Sequence, residues 1–407
     1  MVLSRICFHN REITIFLYLP FAFYLLVTSY LYLALGVYVI AEGLMTRPGI
    51  VDSSAKPVGV DFVAFWAASQ LARSGDPADV YVVSRLHQVE EAVIGQPIPA
   101  WAWNYPPTAL LLMFPLSLAP YLASFALWIT LPLLGCFWLT RQIAPHRLTP
   151  WLYLAFPFVL QNLFYGQNGF LSTLLLGGGL LLLNAFPLLA GCLFGLLSYK
   201  PQLTLLIPLA LIAGRHWRAL GATLASAAAL ALASLAVLGP ATWVAFWHNL
   251  PQARAVINNP FFWEKMPTIF VSARLLGAGT PLATALQGLA ALGSMAVVAW
   301  VWQRRPSLTW RGSILVLGIF LATPYAFEYD LAVLGLVFAW LGTAEYTAGR
   351  VGGQIFLIFC WISLFAANFP LREVTRFQAT PVVLAALMGF IWYRVARLER
   401  PGSVSGA

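Results

Sequence analysis

The sequence predicts an all-α, polytopic membrane protein, and three observations lead to that fold class. The chain of 407 residues is 60% hydrophobic and only 9% charged, whereas soluble domains carry about 25% charged residues. Apolar runs such as 13–40 and 220–238 approach or exceed the roughly 20 residues that cross a hydrocarbon core. The runs are continuous rather than alternating. Because lipid excludes unsatisfied backbone groups, they predict transmembrane helices.

Charge placement predicts how these helices are oriented. The net charge is +9, and the basic residues cluster near the ends of apolar segments. Short cytoplasmic loops of membrane proteins keep Arg and Lys in this way. The clusters are Arg5 with Arg11, Arg215 with Arg218, Arg304 and Arg305 with Arg311, and Arg394 with Arg397 and Arg400. The same distribution excludes nucleic-acid binding, because no basic face lies outside the membrane.

We predict about 12 transmembrane helices, within a range of about 10 to 13, in a multi-pass protein of the inner (plasma) membrane. Both termini are expected in the cytoplasm. The first apolar segment is too long for the core of a signal peptide. The predicted spans are 13–40, 106–119, 121–140, 151–165, 169–185, 187–213, 219–238, 279–302, 312–323, 331–343, 352–369 and 380–396.

Two long external loops, 41–105 and 242–276, are predicted within a single membrane domain over 1–407. The first loop holds seven of the fourteen acidic residues of the chain. Apolar side chains recur at helical spacing over 60–73, which predicts an amphipathic helix lying in the membrane interface. A second helix is predicted over 78–94.

Asp61 stands at the start of the first of these loop helices and has two interpretations. Asp is a favoured N-cap residue, so the spacing alone favours a cap for the helix that begins at Phe62. A carboxylate beside Phe62, Phe65 and Trp66 is also partly desolvated, which raises its pKa and suits a catalytic base. The two roles are compatible with each other.

Polar residues interrupt the apolar segments at three further places. Tyr105 precedes a Pro-Pro pair that opens a helix, and it is either a binding residue or part of an aromatic belt. Gln167 and Asn168 lie in "YGQNGF", which either binds a sugar or forms a plain interhelical turn. Lys200 falls inside an apolar segment, where an ionisable residue predicts a functional site.

Charged residues near the external ends of later segments form the last set of candidates. Tyr325, Glu328 and Asp330 combine carboxylates with an aromatic ring, an arrangement that grips a sugar by hydrogen bonds and stacking. The alternative is a solvated loop. Lys265 and Arg274 either bind an anionic headgroup or contact lipid phosphate non-specifically. The four cysteines lack the spacing and the His partners of a metal site, so no metal is expected.

Taken in order, these segments resemble glycosyltransferase family 87, also described as a DUF2029-type domain. The resemblance runs from about residue 60 to residue 330. It is carried by "GVDFVAFWAASQLARSGDPADVY", "YPPTALLLMFPLSLAP", "NLFYGQNGFLSTLLL", "AGCLFGLLSYKPQLTLLIPLAL" and "ATPYAFEYDL". It implies a GT-C fold, in which a first loop of amphipathic helices covers an active site facing the periplasm or exterior.

The resemblance also implies the chemistry. The best-known members are mannosyltransferases that take mannose from a polyprenyl-phosphate sugar, invert the anomeric carbon and extend a lipid or glycan acceptor. Asp61 matches the catalytic base, and no cofactor or metal is implied. Where the mannosyltransferase branch has a His-Tyr or His-His pair in the late helical motif, this chain has Glu328-Tyr329-Asp330.

Roles for the remaining candidates follow from the same resemblance. The donor phosphate is assigned to the three cations Lys200, Lys265 and Arg274. The sugar and the acceptor are assigned to Tyr105, Gln167, Asn168, Tyr325, Glu328 and Asp330.

Two other classes of function compete with the enzyme. A transporter or lipid flippase would use Lys200, Glu328 and Asp330 as gates within the membrane. A structural subunit would not need Asp61. An ion-coupled carrier places its acids at mid-membrane, whereas this chain keeps half of them in one external loop, which favours the enzyme.

Overall fold

The structure of the protein is a computed structural model that describes residues 27, 29–368 and 377–398. Within those ranges the chain forms helices and turns and no strand, which confirms the predicted all-α class. The helices are α1 (Ser29–Thr46), α2 (Phe62–Ser74), α3 (Val83–Ile94), α4 (Pro107–Met113), α5 (Tyr121–Ile143), α6 (Thr149–Leu154), α7 (Pro157–Tyr165), α8 (Gly169–Leu182), α9 (Pro187–Leu196), α10 (Pro201–Thr204), α11 (Ile207–Ala213), α12 (Trp217–Asn258), α13 (Pro260–Trp263), α14 (Ile269–Leu275), α15 (Thr280–Gln303), α16 (Leu308–Ala322), α17 (Leu334–Thr347), α18 (Val351–Asn368) and α19 (Thr380–Leu398). Four 3₁₀ segments are Pro77–Tyr81, Phe114–Leu118, Leu197–Tyr199 and Glu328–Val333.

Of the helices in the described ranges, five are long and apolar enough to cross a membrane: α1, α5, α12, α15 and α19. The predicted count of about twelve spans is not confirmed. Residues 13–26 and 28 of the first predicted span, and residue 369 of the predicted span 352–369, lie outside the described residues.

Prolines divide several of the predicted spans into short helices. The predicted span 151–165 is split into α6 and α7, and 187–213 is split into α9, α10 and α11. Proline stands in the first turn of α6, α7, α9, α10 and α11. Since proline has no N–H to donate, it is compatible with the first turn of a helix and ends the one before it.

Helix α12 consists of two helices that meet at Gly239, a residue with non-helical backbone angles. The first ends at Leu238, where the predicted span 219–238 ends, and the second continues to Asn258 and occupies the first half of the predicted loop 242–276. The helix bends at Gly239, whose φ of 79° lies in the left-handed region that only glycine adopts easily. Pro240 follows this glycine and removes another backbone hydrogen bond at the bend.

Helix α16 lies at the centre of the helix array. Every residue from Trp310 to Ala322 is buried, and the helix contacts α15, α17 and α19. A helix that is apolar on all sides is typical of such a position. α16 runs through the helix array from one end to the other.

The first loop contains both predicted helices, but its apolar face does not lie on a membrane. Phe62, Phe65 and Ser69 are buried inside the protein. Phe62 packs against Tyr121 with ring centroids 5.3 Å apart, and Trp66 donates to the Ala119 carbonyl at 3.1 Å. The interfacial interpretation of this face was wrong. The apolar stripe has the same pattern whether lipid or protein covers it, and here protein does.

Candidate active site

A cavity of about 1310 Å³ lies beneath the first loop. Its wall comes from α1, the residues around Asp61, the segment 99–105, the end of α7, and the 252–265 and 325–329 regions. Ligand pockets are usually about 300–1,000 Å³, so this cavity is large enough for more than one small group. Tryptophan, tyrosine and phenylalanine side chains form much of its wall.

Asp61 lies in the wall of the cavity and does not cap α2. Its side chain makes no hydrogen bond to the first turn of that helix. Oδ1 accepts from Trp101 Nε1 at 3.1 Å, and Oδ2 accepts from Gln167 Nε2 at 2.9 Å. Among the described residues the carboxylate makes no ion pair, and both of its side-chain donors are neutral. Of the two interpretations, the cap is therefore wrong.

The environment of Asp61 acts on its pKa in both directions. Burial raises the pKa of the Asp61 carboxyl above its ordinary value, while the Gln167 hydrogen bond, the charge of Lys265 and the Trp101 hydrogen bond lower it. A base must be ionised to accept a proton, and the best pKa for that task lies near the working pH. The arrangement provides a partly desolvated carboxylate with donors that stabilise its charged form.

Close backbone contact brings Asp61 to the end of α7. The Asp61 N–H donates to the Tyr165 carbonyl at 3.0 Å. Gly166 ends α7 with a φ of 64°, and a Cβ there would stand 2.6 Å from Phe62 Cβ. The Gly-Gln-Asn sequence therefore needs its glycine for both the turn and the contact, and Gln167 is then directed at the Asp61 carboxylate.

Tyr105 extends this network to Asn168. The Tyr105 hydroxyl donates to Gln167 Oε1 at 3.4 Å and accepts from Asn168 Nδ2 at 3.1 Å. Burial raises the pKa of Tyr105 well above its ordinary value, so it stays a neutral donor. Tyr105 and Gln167 line the cavity, while Asn168 is buried behind them. An aromatic-belt role for Tyr105, or a plain interhelical turn at Gln167 and Asn168, would not account for these hydrogen bonds.

Lys200 and Asp330 form an ion pair behind the cavity wall. They are 2% and 1% exposed, and neither lines the cavity. Lys200 Nζ donates to Asp330 Oδ1, and the other carboxylate oxygen accepts from the Phe327 N–H at 3.1 Å. The ammonium lies 5.8 Å from the centre of the Tyr105 ring and 5.3 Å from that of Tyr329. The pair thus supports two aromatic residues of the wall.

Lys265, Tyr325 and Glu328 line the cavity together with Asp61. Lys265 is half-buried, and its Nζ lies 4.8 Å from the centre of the Tyr165 ring. Glu328 Oε2 accepts from Gln161 Nε2 at 2.7 Å. The predicted set is therefore brought together around one cavity, either in its wall or in the layer behind it.

Arg274 is the exception to this convergence. It lies on α14 outside the cavity wall, with its guanidinium 5.1 Å from the Trp263 ring and Nη1 donating to the Ala278 carbonyl at 3.0 Å. It ends a local turn and lies apart from the other predicted site residues.

Three residues of the site were missed from the sequence. Trp101 holds Asp61, and Gln161 holds Glu328. Glu90 is fully buried, and its Oε2 accepts from the Trp101 backbone N–H at 3.2 Å, so it holds the segment that carries Trp101. Gln161 did carry a signal, because it is a polar residue inside an apolar segment. Trp101 and Glu90 look like ordinary loop residues.

The fold and the site together define a class: a helical membrane protein with a large aromatic cavity, in whose wall the Asp61 carboxylate accepts hydrogen bonds from two neutral side chains. A model of glycosyltransferase family 87 matches residues 103–324, which is 222 of the 407 residues, and the chain belongs to that family. It is a membrane glycosyltransferase, which sets aside the transporter and the structural subunit. Comparisons with curated proteins and with solved structures found no match. Asp61, Glu328 and Asp330 lie outside the matched range.

Proposed function

We propose that this glycosyltransferase transfers a hexose, with mannose as the sugar to test first, from a polyprenyl-phosphate sugar to a lipid or glycan acceptor. The reaction takes place on the outer face of the membrane and inverts the anomeric carbon. One observation carries the proposal: the unpaired Asp61 carboxylate in the wall of an aromatic cavity of about 1310 Å³. A cavity of that size accommodates a sugar, its phosphate and an acceptor hydroxyl together.

Asp61 acts as the general base. The acceptor hydroxyl attacks the anomeric carbon, a new C–O bond forms, and the bond between that carbon and the phosphate oxygen breaks. Asp61 takes the acceptor proton, and the polyprenyl phosphate leaves with the bonding electrons. Trp101 and Gln167 occupy one lone pair on each carboxylate oxygen, which leaves acceptor capacity on both for a substrate proton.

Lys265 is the cation best situated to stabilise the departing phosphate. It lines the same cavity as Asp61 and acts on it electrostatically. A positive group near developing negative charge lowers the barrier to bond cleavage. Because Lys200 is neutralised by Asp330, we give it a supporting role behind Tyr105 and Tyr329. Tyr105, Gln167, Tyr325 and Glu328 present hydroxyl, amide and carboxylate groups to the sugar and the acceptor.

The test uses the purified full-length protein with labelled donors. Polyprenyl-phosphate mannose and polyprenyl-phosphate glucose are compared with the corresponding nucleotide sugars, in the presence of extracted membrane lipids as acceptors. We expect transfer from a polyprenyl-phosphate donor, with inversion read from the anomeric NMR coupling of the product. Transfer from nucleotide sugars alone would show that the donor class is wrong.

Asp61→Asn tests the base directly. We expect transfer to fall by about 10²- to 10⁴-fold, the usual contribution of a general base. Asp79→Asn is the matched control, because Asp79 lies in the same loop, outside the cavity, in a surface ion pair with Arg85. Wild-type activity in Asp61→Asn would remove the carboxylate from the mechanism.

A further inference from the structure

A second cavity, of about 320 Å³, lies at the other end of α16. It sits where α11 meets α12 and where α15 meets α16. α16 has 15 residues and is about 22 Å long at 1.5 Å per residue; it ends three residues before Tyr325 of the first cavity. The lining residues are Asn184, Gly214, Arg215, His216, Arg305 and Arg311.

The charges around this cavity are of one sign. Three arginines line it, and none of the carboxylates in the described ranges does. α12 and α16 both begin here, without an acidic residue in either first turn. Helix N-termini carry partial positive charge. Burial lowers the pKa of His216, and the charges of Arg311 and Arg305 lower it further, so the histidine stays neutral and adds no charge to the cavity.

Arg311 is held rigidly in the wall of this cavity. It is 6% exposed, and its Nη1 donates to His216 Nε2 at 3.0 Å. Its guanidinium lies 5.5 Å from the centre of the Trp302 ring, whose Nε1 donates to the Arg311 carbonyl at 3.0 Å. Within the described part of the chain, the buried Nε of Arg311 has no hydrogen-bond partner. A buried charged donor without an acceptor is rare in proteins.

Membrane topology alone does not account for Arg311. Arg215 and Arg305 follow the C-terminal ends of α11 and α15, where positive charge is favoured by the helix dipole. Arg311 lies in the first turn of α16, where the same dipole opposes it. Cytoplasmic arginines that only set topology are solvated, whereas Arg311 is buried with an unused donor.

We propose that this cavity binds a phosphate group, with the headgroup of an anionic phospholipid as its source. Guanidinium groups match phosphate oxygens in pairs of parallel hydrogen bonds, and Arg311 has the rigid, partly unsatisfied fork for such a contact. Trp217, next to His216, is 59% exposed, as suits a tryptophan at the level of lipid headgroups. The site is separate from the transferase cavity, so its test does not depend on the proposed donor or base.

The experiment measures lipid retention and phosphate binding on the full-length protein. Native mass spectrometry of protein extracted from mixed phosphatidylglycerol and phosphatidylcholine vesicles reports which lipid stays bound. Calorimetric titration with inorganic phosphate, in detergent without anionic lipid, reports binding of the free ion. We expect preferential retention of phosphatidylglycerol. If inorganic phosphate binds in a way that depends on Arg305 and no lipid is preferred, the cavity is a phosphate site whose ligand is a soluble phosphate.

Three Arg→Gln variants separate the cavity from general surface charge. Arg311→Gln and Arg305→Gln should each weaken binding by about tenfold, the equivalent of one charge-assisted hydrogen bond. Arg218→Gln removes the same charge from the first turn of α12, outside the cavity, and should change binding by less than about twofold. Arg305 is exposed, so its variant keeps the test valid if Arg311→Gln fails to fold. Equal lipid retention in all variants, or no phosphate or lipid preference in the wild type, would overturn the proposal.

Discussion

Asp61 and Asp330 are two carboxylates of one site with opposite environments. Asp61 lies in the cavity wall and accepts hydrogen bonds from two neutral side chains. Asp330 lies behind the wall, 1% exposed, paired with Lys200 and with the Phe327 N–H. A charge that is fully neutralised by its neighbours has no free capacity for chemistry. On this comparison we propose that Asp61 is the reactive carboxylate and that Asp330 supports the wall.

The comparison also separates two uses of buried charge. An unpaired carboxylate is costly to bury, and its presence beside a cavity indicates function more than stability. A buried ion pair is stable only while both partners are present, since its attraction offsets the cost of desolvation. Substitutions at the two positions should therefore affect different measurements.

The largest effect on stability should come from breaking the Lys200–Asp330 pair. Asp330→Asn leaves the Lys200 ammonium buried without its partner, which typically costs about 3–5 kcal/mol. We expect a loss of that size in the free energy of unfolding, measured by denaturant titration in detergent. Asp61→Asn should leave this free energy nearly unchanged while activity falls, which is the reverse of the pattern at Asp330.

Two variants sharpen this prediction. Lys200→Met combined with Asp330→Leu removes both charges and should recover most of the lost stability, because no unpaired charge stays buried. Asp79→Asn breaks the surface pair with Arg85, and it should cost less than about 1 kcal/mol. A stable Asp330→Asn variant would mean that the ion pair is not what holds this part of the wall.

A smaller effect is expected from removing one donor to Asp61. Trp101→Phe keeps an aromatic ring and removes the Nε1–H that donates at 3.1 Å. Because that hydrogen bond favours the ionised carboxylate, its loss should raise the pKa of Asp61, by up to about one unit, or about 1.4 kcal/mol. The acid limb of the pH profile of kcat/KM should move to higher pH.

The control for Trp101 is another tryptophan with one indole hydrogen bond. Trp66→Phe removes a donor to the Ala119 carbonyl at 3.1 Å, and Trp66 does not line the cavity. Its pH profile should match that of the wild type. If the acid limb is unchanged in Trp101→Phe, that limb does not report the titration of Asp61.

The last prediction concerns the pH dependence of stability at Glu90, which holds the Trp101 backbone. Burial raises the pKa of Glu90 to about 7 from an ordinary value of 4.5, although Trp101 and His87 lower it. Between these two pH values the folded protein keeps the proton that the unfolded chain releases. Stability should therefore fall as pH rises from about 4.5 to 7, by at most about 1.4 kcal/mol per pH unit.

Glu90→Gln should flatten this slope in the melting temperature, because the amide does not titrate. Glu91→Gln removes a half-buried carboxylate one residue away, which pairs with His87, and should preserve most of the slope. If Glu90→Gln and the wild type show the same slope of melting temperature against pH, other titrating groups cause that slope.

The sequence by itself determined the class of this protein and part of its local structure. Long apolar runs can only become helices in lipid, because no other structure satisfies every backbone group. The first helix of the first loop was visible in the spacing of Phe62, Phe65 and Trp66, and the turn at Gly166 was visible in the Gly-Gln-Asn motif. The order of the motifs was sufficient to indicate the glycosyltransferase family.

Tertiary structure decided what each polar residue does. Asp61 and Gln167 are 106 residues apart and Lys200 and Asp330 are 130 apart, so local spacing contains no information about either contact. A cap, a base and an ion-pair partner have the same side chain, and only the groups that surround it distinguish them. For the same reason, Arg311 looked like one more cytoplasmic arginine until the folded helices left its donor buried without an acceptor.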